Sequence, residues 1–173
     1  MQASLLVVGA LLACGTMLPA GGQTKPDRLT RQVRHELVML PFYGVFDNFA
    51  FQIRGREVKL LGQVRLPALK ASAEKVVRDI EGVETVINEI EVLPNSPNDD
   101  RIRLAVYRTI YGDVALNRYA LQAVPSMHII VKNGHVTLVG VVAREGDRNI
   151  ANIRANEVNG VFSVTNQLTL EDR

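Results

Sequence analysis

Gly55-Arg56-Glu57-Val58-Lys59-Leu60-Leu61-Gly62-Gln63-Val64, set above Asn133-Gly134-His135-Val136-Thr137-Leu138-Val139-Gly140-Val141-Val142, is the pairing that decides the fold. The correspondence continues without a gap. Gly82 falls on Gly160, Val83 on Val161, Val86 on Val164, Asn88 on Asn166 and Ile90 on Leu168, all at an offset of 78. Upstream, Asp27-Arg28-Leu29 and Val33 meet Asp100-Arg101-Ile102 and Val106 at an offset of 73, so the second copy carries a five-residue insertion. Self-similarity at a constant offset marks two units of one fold.

Each unit reads as helix, strand, strand, helix, strand. Leu29, Val33, Leu37 and Leu40, like Ile102, Val106 and Ile110, recur at helical spacing, so each unit opens with an amphipathic helix. Asp27 or Thr24, and Asp99 or Asp100, are available as N-caps. Strands are expected over Asn48–Arg54 and Met127–Lys132, then over Val58–Gly62 and Val136–Val142. Val58 and Leu60, with Val136 and Leu138, alternate at the period of a half-buried strand. Gly62 and Gly140 are expected to end those strands, at a sharp turn or a close backbone approach. Second helices follow at about 68–80 and 146–158; Arg154 stands where the first copy has Val76. Gly82 and Gly160 sit just past the helix ends, and the closing strands run 85–93 and 163–170. Asn88 and Asn166 are expected to bond backbone at a strand kink. The fold class is α+β: two small α-β-β-α-β domains, each a three-stranded mixed sheet packed against two helices.

The pattern G-x-V-x-L-x-G-x-V (complete in the second copy from Gly134, with Arg56 at its first position in the first copy), a helix, then G-V-x-x-V-x-N-x-[IL] resembles the BON domain of bacterial envelope proteins. The resemblance implies an α+β sandwich without known catalytic residues. It also implies an envelope location, and association with membrane phospholipid or with other envelope proteins. The domain plan is a segment 1–22, a first BON-like domain 27–93, a linker 94–98 and a second BON-like domain 99–171. Two prolines make that linker short and stiff.

Composition sets limits. With 173 residues, 47% hydrophobic and 22% charged, the chain is neither disordered nor collagen-like. A formal net charge of +2 does not cluster: residues 27–93 hold ten basic and ten acidic side chains, and 99–173 hold nine and eight. That balance, with the export signal, argues against a nucleic-acid partner. The apolar run from Leu5 to Leu18 is shorter than the roughly 20 residues that span a bilayer, and small residues follow it, as in a secretory signal peptide. Two processing readings stand. Leu11-Leu12-Ala13-Cys14-Gly15 resembles a lipobox in which Cys14 would be lipidated, and Ala20-Gly21-Gly22 is an ordinary cleavage site. The first is preferred because the only cysteine sits where a lipobox needs it. The expected address is the bacterial periplasm, with anchoring to the outer membrane as a lipoprotein.

Catalytic chemistry finds few materials. His35 lies on the polar side of the first helix, His128 on a strand, and His135 replaces Glu57 in the hairpin turn. No G-x-S-x-G, C-x-x-C, H-x-x-x-H or phosphate-cradling glycine loop occurs. The expectation is a non-enzyme with no cofactor and no metal. Binding is better supplied. Arg101, Leu104, Arg108 and Tyr111 fall at i, i+3, i+7 and i+10 of the second unit's first helix. The insertion adds Leu116, Arg118 and Tyr119, together with Leu121. Arginine interleaved with tyrosine and leucine suits anionic headgroups above acyl chains. The competing view packs the tyrosines at the edge of a small core and leaves the arginines merely solvated. The leading expectation is a protein that associates with anionic phospholipid membrane through its second domain, contributing to envelope integrity or stress tolerance. A periplasmic protein-binding or chaperone-like adaptor is the alternative.

Overall fold

The computed structural model describes residues 28–122 and 126–171. The signal-peptide reading, the lipobox at Cys14 and the first-unit N-caps lie outside the described residues. In the first unit α1 (Arg28–Val38) precedes β1 (Asn48–Arg54), β2 (Glu57–Val64), α2 (Pro67–Arg78), β3 (Thr85–Asn88) and β4 (Glu91–Val92). The second has α3 (Pro97–Tyr111), a 3-10 turn (Asn117–Leu121), β5 (Met127–Lys132), β6 (His135–Val142), α4 (Glu145–Asn156) and β7 (Ser163–Leu170). β2 and β6 are the central strands. Each pairs antiparallel with the strand before it and parallel with the strand after the helical crossover. Both sheets are therefore mixed, and the α+β class holds.

The inward faces are those that the periodicities define. Val33, Leu37 and Leu40 of the first helical segment meet Val58, Leu60 and Val64 of β2 and Leu69, Ala73 and Val77 of α2. Ile102, Val106 and Ile110 meet Val136, Leu138 and Val142, with Ala151 and Ala155 of α4. Each such side chain contributes on the order of 1–3 kcal/mol by leaving water. Asn88 and Asn166 tie the closing strands to the second helices: their Nδ2 groups donate to the carbonyls of Lys70 (3.0 Å) and Arg148 (2.9 Å). Their Oδ1 atoms accept the amides of Ile90 and Leu168.

Four local expectations are corrected. Gly62 and Gly140 do not end their strands, which run on to Val64 and Val142. At φ of 110° and 124° these glycines let the strand pass a neighbouring backbone; a Cβ there would overlap the carbonyl oxygen of Asn48 or Ser126. The first closing strand breaks into β3 and β4 around Glu89 and the buried Ile90. The N-cap of α3 is Ser96, whose Oγ accepts the Asp99 amide at 3.2 Å, with Pro97 at the first helical position. The helix therefore takes up the last two residues of the expected linker, and Asp99 is freed for another task.

The units are not independent beads. Val45 and Phe46, from the loop before β1, pack against the second core, and the Ile129 amide donates to the Val45 carbonyl at 2.7 Å. β5 is consequently buried on both faces from Met127 to Val131, whereas β1 alternates between half-buried and exposed. The first unit covers the outer face of β5 through Tyr43 and Gly44 against His128, and Lys132 pairs with Glu91.

Candidate functional site

The rotation of α3 about its axis is set by five residues. Ile102, Val106 and Ile110 enter the core, and Asp99 is buried beneath the β5–β6 turn. Its two oxygens accept the amides of Asn133 (2.9 Å) and Gly134 (2.8 Å). Arg103, also buried, donates to the Val131 carbonyl and to Asp100, each at 2.6 Å. Buried charges need such partners, because an unpaired one costs several kcal/mol. With that side occupied, Arg101, Leu104 and Arg108 are left facing outward. Arg101 donates to Asn98 Oδ1 at 2.9 Å, Leu104 is 47% exposed, and Arg108 is exposed with no ion-pair partner among the described residues.

The other half of the expected stripe is not a surface. Tyr111, Leu116 and Tyr119 are all buried. Tyr111 donates its hydroxyl to the Met127 carbonyl at 2.8 Å and lies 4.8 Å from the Tyr107 ring; burial raises its pKa well above the ordinary phenol value. Tyr119 donates to Asp147 Oδ2 at 2.7 Å and accepts the Ala143 amide at 2.9 Å. Arg118 is half-exposed, pairs with Asp147 and lies over the Tyr119 ring, 4.9 Å from its centroid. The insertion thus folds back as a cap over the first turn of α4. Tyr111 belongs to the second core, against which Val45 and Phe46 pack, and it shares a cavity wall with Val45 and with Tyr119 of the 3-10 turn. The candidate set contracts to Arg101, Leu104 and Arg108, with Arg118 at its margin.

The sequence reading passed over a second set. Met39 and Phe42, beyond α1, are 64% and 78% exposed; Val114 and Leu121, beyond α3, are both 88% exposed. Phe42 holds φ at 70°, a left-handed conformation that costs a non-glycine residue about 1–2 kcal/mol and here serves no burial of its ring. The docked loop brings these segments together. Val45 shares the walls of a 180 Å³ cavity with Tyr107, Tyr111, Tyr119, Ala120 and Gln122, next to Leu121 in the chain. The available signal was apolar residues beside Pro41 and Gly112, outside either helical period.

Between the units lies a compact polar cluster. The Tyr43 hydroxyl is 3.2 Å from His128 Nε2, and His128 Nδ1 is 3.3 Å from the Gly44 carbonyl. Burial, and then the charge of Asp47, push the Tyr43 phenol up to about 12. Asp47 is fully buried; its Oδ1 accepts the Arg65 amide at 2.7 Å and its Oδ2 has no partner among the described residues. Desolvation raises its pKa, against opposing contributions from the Arg65 amide and guanidinium. These groups clasp loop 43–47 to β5, and Tyr43 and His128 also line a 540 Å³ cavity together with Arg34, Phe49 and Phe51. His135 is exposed, 2.7 Å from Ser163 Oγ. Among the described residues no three His, Cys, Asp or Glu side chains could hold a metal ion, and no helix is long and apolar enough to cross a membrane.

The fold defines a tandem pair of small α+β modules. The BON domain family model matches residues 27–94 and 98–172, and the chain belongs to that family. Such domains are generally non-enzymatic binding domains, typical of envelope and periplasmic proteins, and point in general terms to phospholipid association. The chain is also similar to two solved structures of CdsD, a structural protein of the type III secretion system of Chlamydia trachomatis. One is its C-terminal domain: 14% identity, 86% of this chain and 100% of that chain covered, TM-score 0.30. The other gives 14% identity over 84% and 93%, with a TM-score of 0.31. No curated protein matches the chain.

Proposed function

We propose that this chain is a non-enzymatic envelope protein that associates with anionic phospholipid membrane through its second BON domain, and so contributes to envelope integrity or stress tolerance. Its address in this reading is the bacterial periplasm, with Cys14 as the site of an acyl anchor to the outer membrane. One observation carries the membrane reading: buried Asp99 and Arg103 lock α3 so that Arg101, Leu104 and Arg108 share one outward stripe. Guanidinium groups at both ends can meet lipid phosphates while leucine enters between them.

The test is flotation of the chain from Gln23 onward, which contains both matched domains whole, with vesicles of phosphatidylcholine alone or mixed with phosphatidylglycerol. Binding is expected only with the anionic lipid. Removing two cations at about 1 kcal/mol each should weaken it roughly thirtyfold in the Arg101→Ala/Arg108→Ala variant. Binding that ignores lipid charge, or that the double variant retains, would overturn the reading.

A further inference from the structure

We infer that the end of the molecule that enters the membrane is built jointly by both units, with Phe42 of the first and Leu121 of the second as the inserted side chains, supported by Met39 and Val114. The inference rests on the membrane reading above and names which end of the stripe goes in, and how.

Large apolar side chains at 64–88% exposure are not core residues that narrowly missed burial, and four of them cluster on the equivalent connection of both units, between the opening helix and first strand. Phe42 sits only three residues before Val45, so its Cα lies within about 10 Å of that residue's Cα. Val45 lines the same cavity as Ala120 and Gln122, the neighbours of Leu121, and its carbonyl is bonded to β5. The docked loop therefore delivers the first unit's aromatic tip to the second unit's insertion.

The charges nearby select the occupant. On α1, Arg31, Arg34 and His35 are exposed, against a half-buried Glu36. Arg108 is exposed at the end of α3. The one acid of the second segment, Asp113, is held by the Arg154 guanidinium (2.8 Å) and the Ala115 amide (2.8 Å), and Asp147 in the first turn of α4 is paired with Arg118. An apolar tip fringed by unmatched arginines fits the boundary between anionic headgroups and acyl chains, where apolar faces bury roughly 5–10 Å deep. Arg108, at this end, should therefore matter more than Arg101.

The chain contains no tryptophan, so a single introduced indole reports its own surroundings. The mature protein would carry one of Phe42→Trp, Leu121→Trp, Leu104→Trp or Ile87→Trp, the last on β3 of the first unit and 38% exposed. Each is mixed with phosphatidylglycerol-containing vesicles whose lipids are brominated in the acyl chains. Emission at positions 42 and 121 is expected to shift to the blue and fall by about half or more, while position 87 changes little. Phe42→Ser/Leu121→Ser should weaken vesicle affinity by about tenfold or more. Quenching at 104 without quenching at 42 and 121 overturns this inference and leaves the second-domain reading intact. No quenching at 42, 104 or 121 overturns both. Quenching at 87 equal to that at 42 means indiscriminate adsorption, and a blue shift that grows with protein concentration in the absence of vesicles means self-association; either result overturns it.

Discussion

Replacing Tyr119 by Phe removes one oxygen atom and separates a structural tyrosine from a lipid-facing one. The ring stays in the core, so no cavity forms and packing is conserved. What goes is the hydroxyl, which donates to Asp147 Oδ2 at 2.7 Å, accepts the Ala143 amide at 2.9 Å and accepts from Arg118 at 3.1 Å. The three losses are unequal. Asp147 keeps its pairing with Arg118, and Ala143 is exposed, so its amide can turn to water. The dominant loss is the bond to a buried carboxylate, and the total comes to about 2 kcal/mol. At roughly 2–4 °C per kcal/mol for a chain of this size, Tm should fall by about 4–8 °C. The assay is thermal unfolding followed by far-UV circular dichroism, alongside vesicle flotation, which should not change. An unaltered Tm together with weakened flotation would refute the reasoning and return Tyr119 to the membrane surface.

Two further outcomes follow from the backbone and from buried charge. Gly140→Ala meets both a φ of 124° and the Ser126 carbonyl, neither of which can yield, so it should cost more than about 3 kcal/mol and abolish cooperative unfolding of the second unit. Gly146→Ala, with open space around its Cβ, should be neutral or stabilising by about 0.5 kcal/mol; similar thermal melts for the two variants would contradict this. The folded pKa of Asp47 is raised, so the stability its protonated form contributes is fully present below the unfolded pKa and is lost as pH rises through the folded value. Asp47→Asn stays neutral and can still accept the Arg65 amide. It should therefore be more stable than the parent near pH 7, with the difference closing below about pH 4; a gap that is constant with pH in urea titrations would refute this.

Much of the fold was legible before any coordinates. The offset of 78 aligned Gly62 with Gly140 and Asn88 with Asn166, and each pair proves to do the same job: close passage past a neighbouring strand, and a tie to the second helix. Expected and observed limits coincide for β1 and β5, because an apolar run that stops at a glycine turn is bounded locally, whether or not it alternates. The site was legible only in part. Helical spacing correctly placed Arg101, Leu104 and Arg108 away from the core of α3.

That same spacing could not tell which outward residues stay outward. It ranks positions against the core of their own helix, whereas Tyr111 lies in a core that Val45 and Phe46, more than sixty residues earlier in the chain, pack against, and Tyr119 is bonded to a carboxylate from α4. Nor could it see Asp99 and Arg103 as anchors, since their partners are backbone groups at the far end of a hairpin. The sequence by itself determined the repeat, the two cores and the family, all of which rest on local periodicity and on glycines that no other residue can replace. Tertiary structure alone decided that the two units clasp one another, that three of the expected contact residues are interior, and that Phe42 and Leu121 stand exposed at neighbouring segments. Covering one surface with another is a long-range event, and no period within either segment records it.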